Sequence, residues 1–203
     1  MLSALLLGIA VLLAAGAALV WRHSMAPADL LTGTYLAPAR ALPDFSLIDQ
    51  SDHPFGPQRL KGRWSLVFFG YTNCPDFCPT TLTTLAALDK RLRDAHAAVR
   101  PQVVFVSVDA QRDTPAQLAK YVPYFDPEFV GVTAADQKTI EAFAAQIGVA
   151  VALTPKPDGG YTVDHSAAIF VVNPEGKIRA VLTGPFSASA LQTDLQRIAA
   201  ARG

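Results

Sequence analysis

Three stretches of the chain are apolar at almost every position, and they differ in length. Residues 1–21 carry no charged side chain and consist almost wholly of Leu, Ala, Val, Ile and Gly. At about 1.5 Å per residue this length matches a hydrocarbon core of about 30 Å, so the segment can span a bilayer as one helix. Trp64-Ser65-Leu66-Val67-Phe68-Phe69 and Val103-Val104-Phe105-Val106-Ser107-Val108 are much shorter. A continuous apolar run of that length predicts a strand buried on both faces.

Between and after these runs the pattern changes period. Leu82, Leu85, Leu88 and Leu92 recur at helical spacing, with Lys90, Arg91 and Arg93 towards the C-terminal end, where the helix dipole favours cations. Pro79 restricts the residue before it, so the regular helix is expected to start at Pro79. Asp113 can cap a helix whose first turn accepts Pro115. Phe45-Ser46-Leu47-Ile48-Asp49 and Phe129-Val130-Gly131-Val132 read as short strands, and residues 136–147 as a helix ended by Gly148. Residues 149–153 and 161–163 flank Pro155, Pro157, Asp158, Gly159 and Gly160 in a hairpin-like pattern. Residues 167–172 and 177–182 make a second hairpin about Asn173-Pro174-Glu175-Gly176, and a helix over 187–201 closes the chain. This order predicts an α/β domain with a mixed central sheet flanked by helices. With Pro27, Gly33 and Pro38 and no clear period, residues 23–42 suit a tether. The expected organisation is an N-terminal transmembrane helix over 1–22, a tether over 23–42 and one folded domain over 43–203.

Composition narrows this picture only slightly. Seventeen basic and seventeen acidic residues cancel, which argues against nucleic acid or a strongly anionic surface as partner. The apolar N-terminus could also be a cleaved secretory signal, for which Ala15-Gly16-Ala17 offers a small-residue site, although it is long for one. Trp21, Arg22 and His23 make an interfacial edge, yet the positive-inside rule does not favour Arg22 on the exported side.

The chemistry concentrates in Gly70-Tyr71-Thr72-Asn73-Cys74-Pro75-Asp76-Phe77-Cys78-Pro79, which holds the only two cysteines. Two soft sulfur ligands in one loop at a helix start make either a reversible disulfide or part of a metal site. A metal needs a further ligand. His23 sits at the membrane edge, His53 in a turn and His96 among alanines, all places for a solvated side chain. His165 lies in Asp164-His165-Ser166 before an apolar strand, and strand ends of an open α/β sheet are where sites gather. It can equally be a structural polar residue at a strand start. Two thiolates and one imidazole would suit copper(I), whereas structural zinc closes with four ligands. Asp76 fits better as an acidic residue favoured by the helix dipole than as a ligand.

Cys74-Pro75-Asp76-Phe77-Cys78-Pro79 after an apolar strand, then Ser107-Val108-Asp109 with Arg112-Asp113-Thr114-Pro115, then Asp164-His165-Ser166, closely resemble the Sco/SenC family of membrane-anchored copper proteins. The match runs in order through nearly all of the domain. The resemblance implies a thioredoxin-like fold, copper ligands at Cys74, Cys78 and His165, and a role in assembling the dinuclear copper centre of cytochrome c oxidase. It implies oxidase subunit II and other periplasmic copper carriers as partners, and export of the domain to the periplasm or its mitochondrial equivalent. Because no Arg-rich transit segment precedes the anchor, the expectation is a single-pass protein of the bacterial inner membrane with its C-terminal domain in the periplasm.

Two functions of different class follow. The first is a metallochaperone without substrate turnover. The second is a dedicated thiol-disulfide oxidoreductase that uses Cys74 and Cys78 as a redox pair to reduce the target's cysteines. A peroxidase is disfavoured, because peroxiredoxins place a threonine three residues before the attacking cysteine and Thr72 is two before Cys74.

Overall fold

In the computed structural model, residues 29–157 and 159–201 are described, together with the isolated Gly8 and Gly16. The expected membrane helix over 1–22 falls outside them. Among the described residues no helix is long and apolar enough to cross a membrane.

The strand predicted from the first short apolar run is β4 (Ser65–Gly70), buried at every position. It lies in the middle of an eight-stranded sheet of order β1-β10-β9-β4-β5-β6-β2-β3. On one side it pairs in parallel with β5 (Gln102–Ser107), which pairs in parallel with β6 (Val130–Thr133). On the other side β9 (Ile169–Val172) runs antiparallel, followed by β10 (Lys177–Leu182) and β1 (Gly33–Ala41). Short strands β2 (Leu47–Asp49) and β3 (Pro54–Phe55) complete the far edge. The expected mixed sheet is thus present.

Adjacent residues of a strand face opposite ways, so Phe68 and Phe69 define the two layers. Phe68 packs beside Phe105 and Phe77, the latter opening α1 (Phe77–Asp94). Phe105 in turn meets Tyr121 at the end of α2 (Pro115–Tyr121). Phe69 instead meets Phe143 of α3 (Gln137–Ile147). The leucines at 82, 85, 88 and 92 are all buried, and α4 (Ala188–Ala200) packs against α1 with Leu191, Leu195 and Ile198 inside. Helix α3 ends at Gly148, whose φ of 87° suits a residue without a β-carbon.

Three boundaries differ from expectation. The tether does not extend to residue 42, because Gly33–Ala41 is strand β1, paired with β10. Even the residues before it are fastened: buried Asp194 of α4 accepts hydrogen bonds from Leu31 N (2.7 Å), Thr32 N (2.9 Å) and Thr32 Oγ1 (2.6 Å). Pro38 concealed the strand, since proline donates no ladder hydrogen bond, but the register breaks between Tyr35 and Arg40 and accommodates it at the sheet edge. Helix α1 starts at Phe77, two residues before Pro79. A proline in the first turn removes only an amide that has no partner within the helix. Asp113 does not cap α2; Thr114 does, accepting from Gln117 N at 3.2 Å.

The hairpin of β7 (Val151–Pro155) and β8 (Tyr161–His165) stands apart as its own two-stranded sheet. Only Val163 of its ten strand residues is fully buried.

Candidate metal centre

Strand β4 delivers the chain to the thiol loop at Gly70. A β-carbon there would lie 2.6 Å from the Phe105 ring and 2.9 Å from Cys78 Sγ, so the glycine is what lets the sulfur pack onto the sheet. Cys78, in the first turn of α1, is fully buried, whereas Cys74 before the helix is half-buried. Both thiols are free, and Cys78 N–H points at Cys74 Sγ at 3.4 Å. Burial pushes the Cys78 thiol far above its ordinary range.

The loop is held from behind. Buried Asp113 accepts from Thr72 N (2.8 Å), Thr72 Oγ1 (2.6 Å) and Ser107 Oγ (2.6 Å), tying the start of the loop to the C-terminal end of β5. Burial raises the Asp113 carboxyl, and these three donors oppose that rise. Because the Thr72 hydroxyl is committed to Asp113, it is not presented to Cys74 as a peroxidase would require.

His165 arrives from the other side. It ends β8 of the separate hairpin and does not open the strand that follows, as its place in the sequence suggested. Its Nε2 stands 3.8 Å from Cys78 Sγ, and its Nδ1 lies 3.1 Å from Ser166 O. A carbonyl oxygen can only accept, so Nδ1 carries the proton and Nε2 offers its lone pair to the sulfur side. Burial lowers the His165 pKa and keeps the ring neutral, the form that binds metals. The Tyr71 ring stands edge-on to it, centroids 6.0 Å apart.

Cys78 and His165 therefore meet, and Cys74 adjoins Cys78 through the backbone. Among the described residues no three His, Cys, Asp or Glu side chains form a ready-made metal cage. The pair that does meet fits one ion: with metal–sulfur and metal–imidazole bonds of about 2.3 and 2.0 Å, two ligands stand about 3.7 Å apart at a trigonal angle, close to the 3.8 Å found. The remaining candidates do not gather here. Asp76 is exposed, and its carboxylate bonds Thr80 Oγ1 within the same first turn (3.3 Å). His53 is exposed beside Asp49, His96 follows the end of α1, and His23 lies outside the described residues.

Sequence reasoning gave no role to a second set of residues. Asp109, fully buried, pairs with Arg112 and accepts from Tyr161 Oη at 2.6 Å. Arg112 also donates to Tyr161 O at 3.3 Å. The available signal was polar residues directly after the buried run of β5, at the strand end where an α/β sheet collects its sites.

With this geometry in place, known proteins supply the context. The sequence profile of the SCO1/SenC family matches residues 34–200. The chain belongs to this family. A Stutzerimonas stutzeri protein named for copper binding is 36% identical over 159 residues, 78% of this chain and 77% of its own length. The mouse mitochondrial SCO2 homologue is 37% identical over 134 residues; that match spans 66% of this chain but only 52% of the mouse protein. Among solved structures, Arabidopsis thaliana ScoI with copper bound superposes with a TM-score of 0.72 at 30% identity, covering 77% of this chain and 96% of that one. Within this SCO1/SenC fold the thiol loop lies between β4 and α1, and His165 comes from the separate β7–β8 hairpin.

Proposed function

We propose that this SCO1/SenC protein is a copper chaperone in which Cys74, Cys78 and His165 hold copper as cargo. The observation that carries the reading is the 3.8 Å approach of His165 Nε2 to Cys78 Sγ, with Nδ1 engaged at Ser166 O. Copper-bound relatives support the choice of metal. Thiolate and imidazole donors match the softness of copper(I). An open, low-coordinate set suits a carrier, because an incoming thiolate can attack without first breaking a closed shell. The recipient in this reading is the dinuclear copper centre of cytochrome c oxidase subunit II. The protein works from the bacterial inner membrane, anchored through residues 1–22, with the domain in the periplasm.

What the chain itself contributes is a divided set of donors. The loop and α1 fix the thiols against the sheet, while Ser166 O orients the imidazole and burial keeps it unprotonated. Copper must displace the Cys78 proton, which burial otherwise retains.

A second reading has its own observation: Cys74 is accessible while Cys78 lies buried directly behind it. In that reading the Cys74 thiolate attacks a target disulfide and forms a mixed disulfide. Cys78 then attacks Cys74 Sγ and releases the target as a dithiol, so two electrons pass to the target and the pair is left oxidised.

Anaerobic copper(I) titration of the reduced protein tests the first reading. One equivalent should bind tightly, and His165→Ala should weaken binding by at least the roughly 10- to 100-fold that follows loss of a group merely supporting a ligand. Unchanged affinity in His165→Ala would remove the imidazole from the site. Failure to trap a mixed disulfide between Cys78→Ser and a peptide bearing the target cysteines would count against the second.

A further inference from the structure

His165 depends on a hairpin that the main sheet does not hold. Strands β7 and β8 pair only with each other, and an isolated two-stranded hairpin is marginal in water. Bonds of 3.1 Å between Ala150 and Ser166 close the base of the hairpin near His165, and buried Val163, with Val151 and Leu153 packed against the core and β7 against α3, holds its middle. The other end, at Tyr161, is fastened by Arg112. Its guanidinium lies 4.0 Å over the Tyr161 ring and 5.8 Å from the centroid of Tyr71, at the foot of the thiol loop. It also bonds Tyr161 O and pairs with Asp109, whose other carboxylate oxygen accepts the Tyr161 hydroxyl. Asp109 is in turn anchored by its own N–H to Ser107 Oγ at 3.1 Å. One side chain thus joins the end of β5, the thiol loop and the start of β8 at the turn end of the hairpin.

We propose that Arg112 is a positioning residue: stacked on Tyr161 and locked to Asp109, it holds the β7–β8 hairpin, and with it His165, over the thiol loop. The flat guanidinium is essential to this role, because it stacks on a ring while its edge bonds a carboxylate and a carbonyl. Lysine keeps the charge and loses the stack. The clamp exists in the metal-free protein, so its mechanical part can be tested without copper. Only its consequence for binding rests on the copper reading.

Hydrogen exchange of the reduced, metal-free full-length protein is the first test. Arg112→Ala should speed exchange of β7 and β8 amides by about tenfold, the loss of one desolvated cation–π contact with its hydrogen bonds, and leave β4 and β5 unchanged. Arg112→Lys should fall between. Should Arg112→Ala fail to fold, Tyr161→Phe keeps the ring and removes only the bond to Asp109, and should still speed hairpin exchange by a few-fold. Unchanged hairpin exchange in folded Arg112→Ala or Tyr161→Phe overturns the clamp. The second test is a double-mutant cycle in copper affinity. Arg112→Ala should weaken binding in the parent protein but cause no further loss in the His165→Ala background. Equal losses in both backgrounds would overturn the route through His165. If the parent protein binds no copper, the metal reading fails, and the exchange result still decides the clamp.

Discussion

The two sides of the candidate site are built to different standards of rigidity. Cys78 rests on β4 and β5, whose central positions are fully buried, and its sulfur touches the position where a side chain on Gly70 would go. His165 rests on a hairpin with one fully buried residue, outside the main sheet. Local opening costs least where few apolar contacts must be broken. The structure therefore puts its thiols on a fixed floor and its imidazole on a part that can open. For a carrier this division is useful: opening the hairpin removes one ligand and leaves the thiols in place for exchange.

The sharpest way to break this comparison is to cut into each side. Phe105→Ala removes the ring beneath Gly70 and Phe68 and should cost about 3 to 5 kcal/mol in global stability, measured by urea denaturation. Val163→Ala should cost about 1 kcal/mol or less globally, because the hairpin opens separately, while speeding exchange of β7 and β8 amides. If Val163→Ala costs as much as the same change at buried Val104 of β5, the hairpin belongs to the core and the contrast fails.

Asp113 gives the next largest effect. Its replacement by alanine leaves the amide and hydroxyl of Thr72 and the hydroxyl of Ser107 without their acceptor. The expected loss is about 2 to 3 kcal/mol, seen as a lower denaturation midpoint, with faster exchange at Thr72 than in the hairpin. Faster exchange in the hairpin alone would place Asp113 on the wrong side of the comparison.

The fixed side was also the more legible in the sequence. Buried runs and leucines at helical spacing placed β4, β5 and α1, because periodicity reports burial directly. Two thiols after a buried strand marked the loop for the same reason. The movable side was harder to read. His165 sits four residues before strand β9 in sequence yet belongs to a different sheet, and nothing in a period-two pattern says which strand a hairpin joins. Strand β1 was hidden by Pro38 at the edge. Asp113 looked like a helix cap because capping chemistry is local, whereas its actual partners are Ser107 and Thr72, the latter 41 residues away in sequence. Such long-range polar contacts leave no periodic trace.

A smaller effect separates the two thiols. Cys74 is half-buried and Cys78 is fully buried, with its thiol raised by that burial. In the metal-free reduced protein, Cys74 should be alkylated faster than Cys78 by about tenfold or more at pH 7, read by mass spectrometry of the separated peptides, since only thiolate reacts and each pKa unit is tenfold. Equal rates would mean that α1 frays past Cys78 and that the thiol floor is less rigid than its burial indicates.

The smallest effect concerns His165 and decides whether the hairpin is closed in solution. Burial lowers its pKa below the ordinary 6.5. As pH falls through about 6.5, the unfolded chain takes up the proton first, so unfolding becomes easier. The stability contributed by the neutral, buried ring is complete above that pH and is lost until the folded pKa is passed, where the loss levels off. One proton limits the slope to about 1.4 kcal/mol per pH unit. His53 stands exposed beside Asp49 and is common to parent and variant, so it cancels in the comparison. Urea denaturation of the metal-free protein and of His165→Gln at pH 7.5 and 5.5 should show the smaller pH-dependent loss in the variant. Equal losses would mean that water already reaches the ring, that the hairpin stands open without copper, and that closure over the thiols is something the metal itself must bring about.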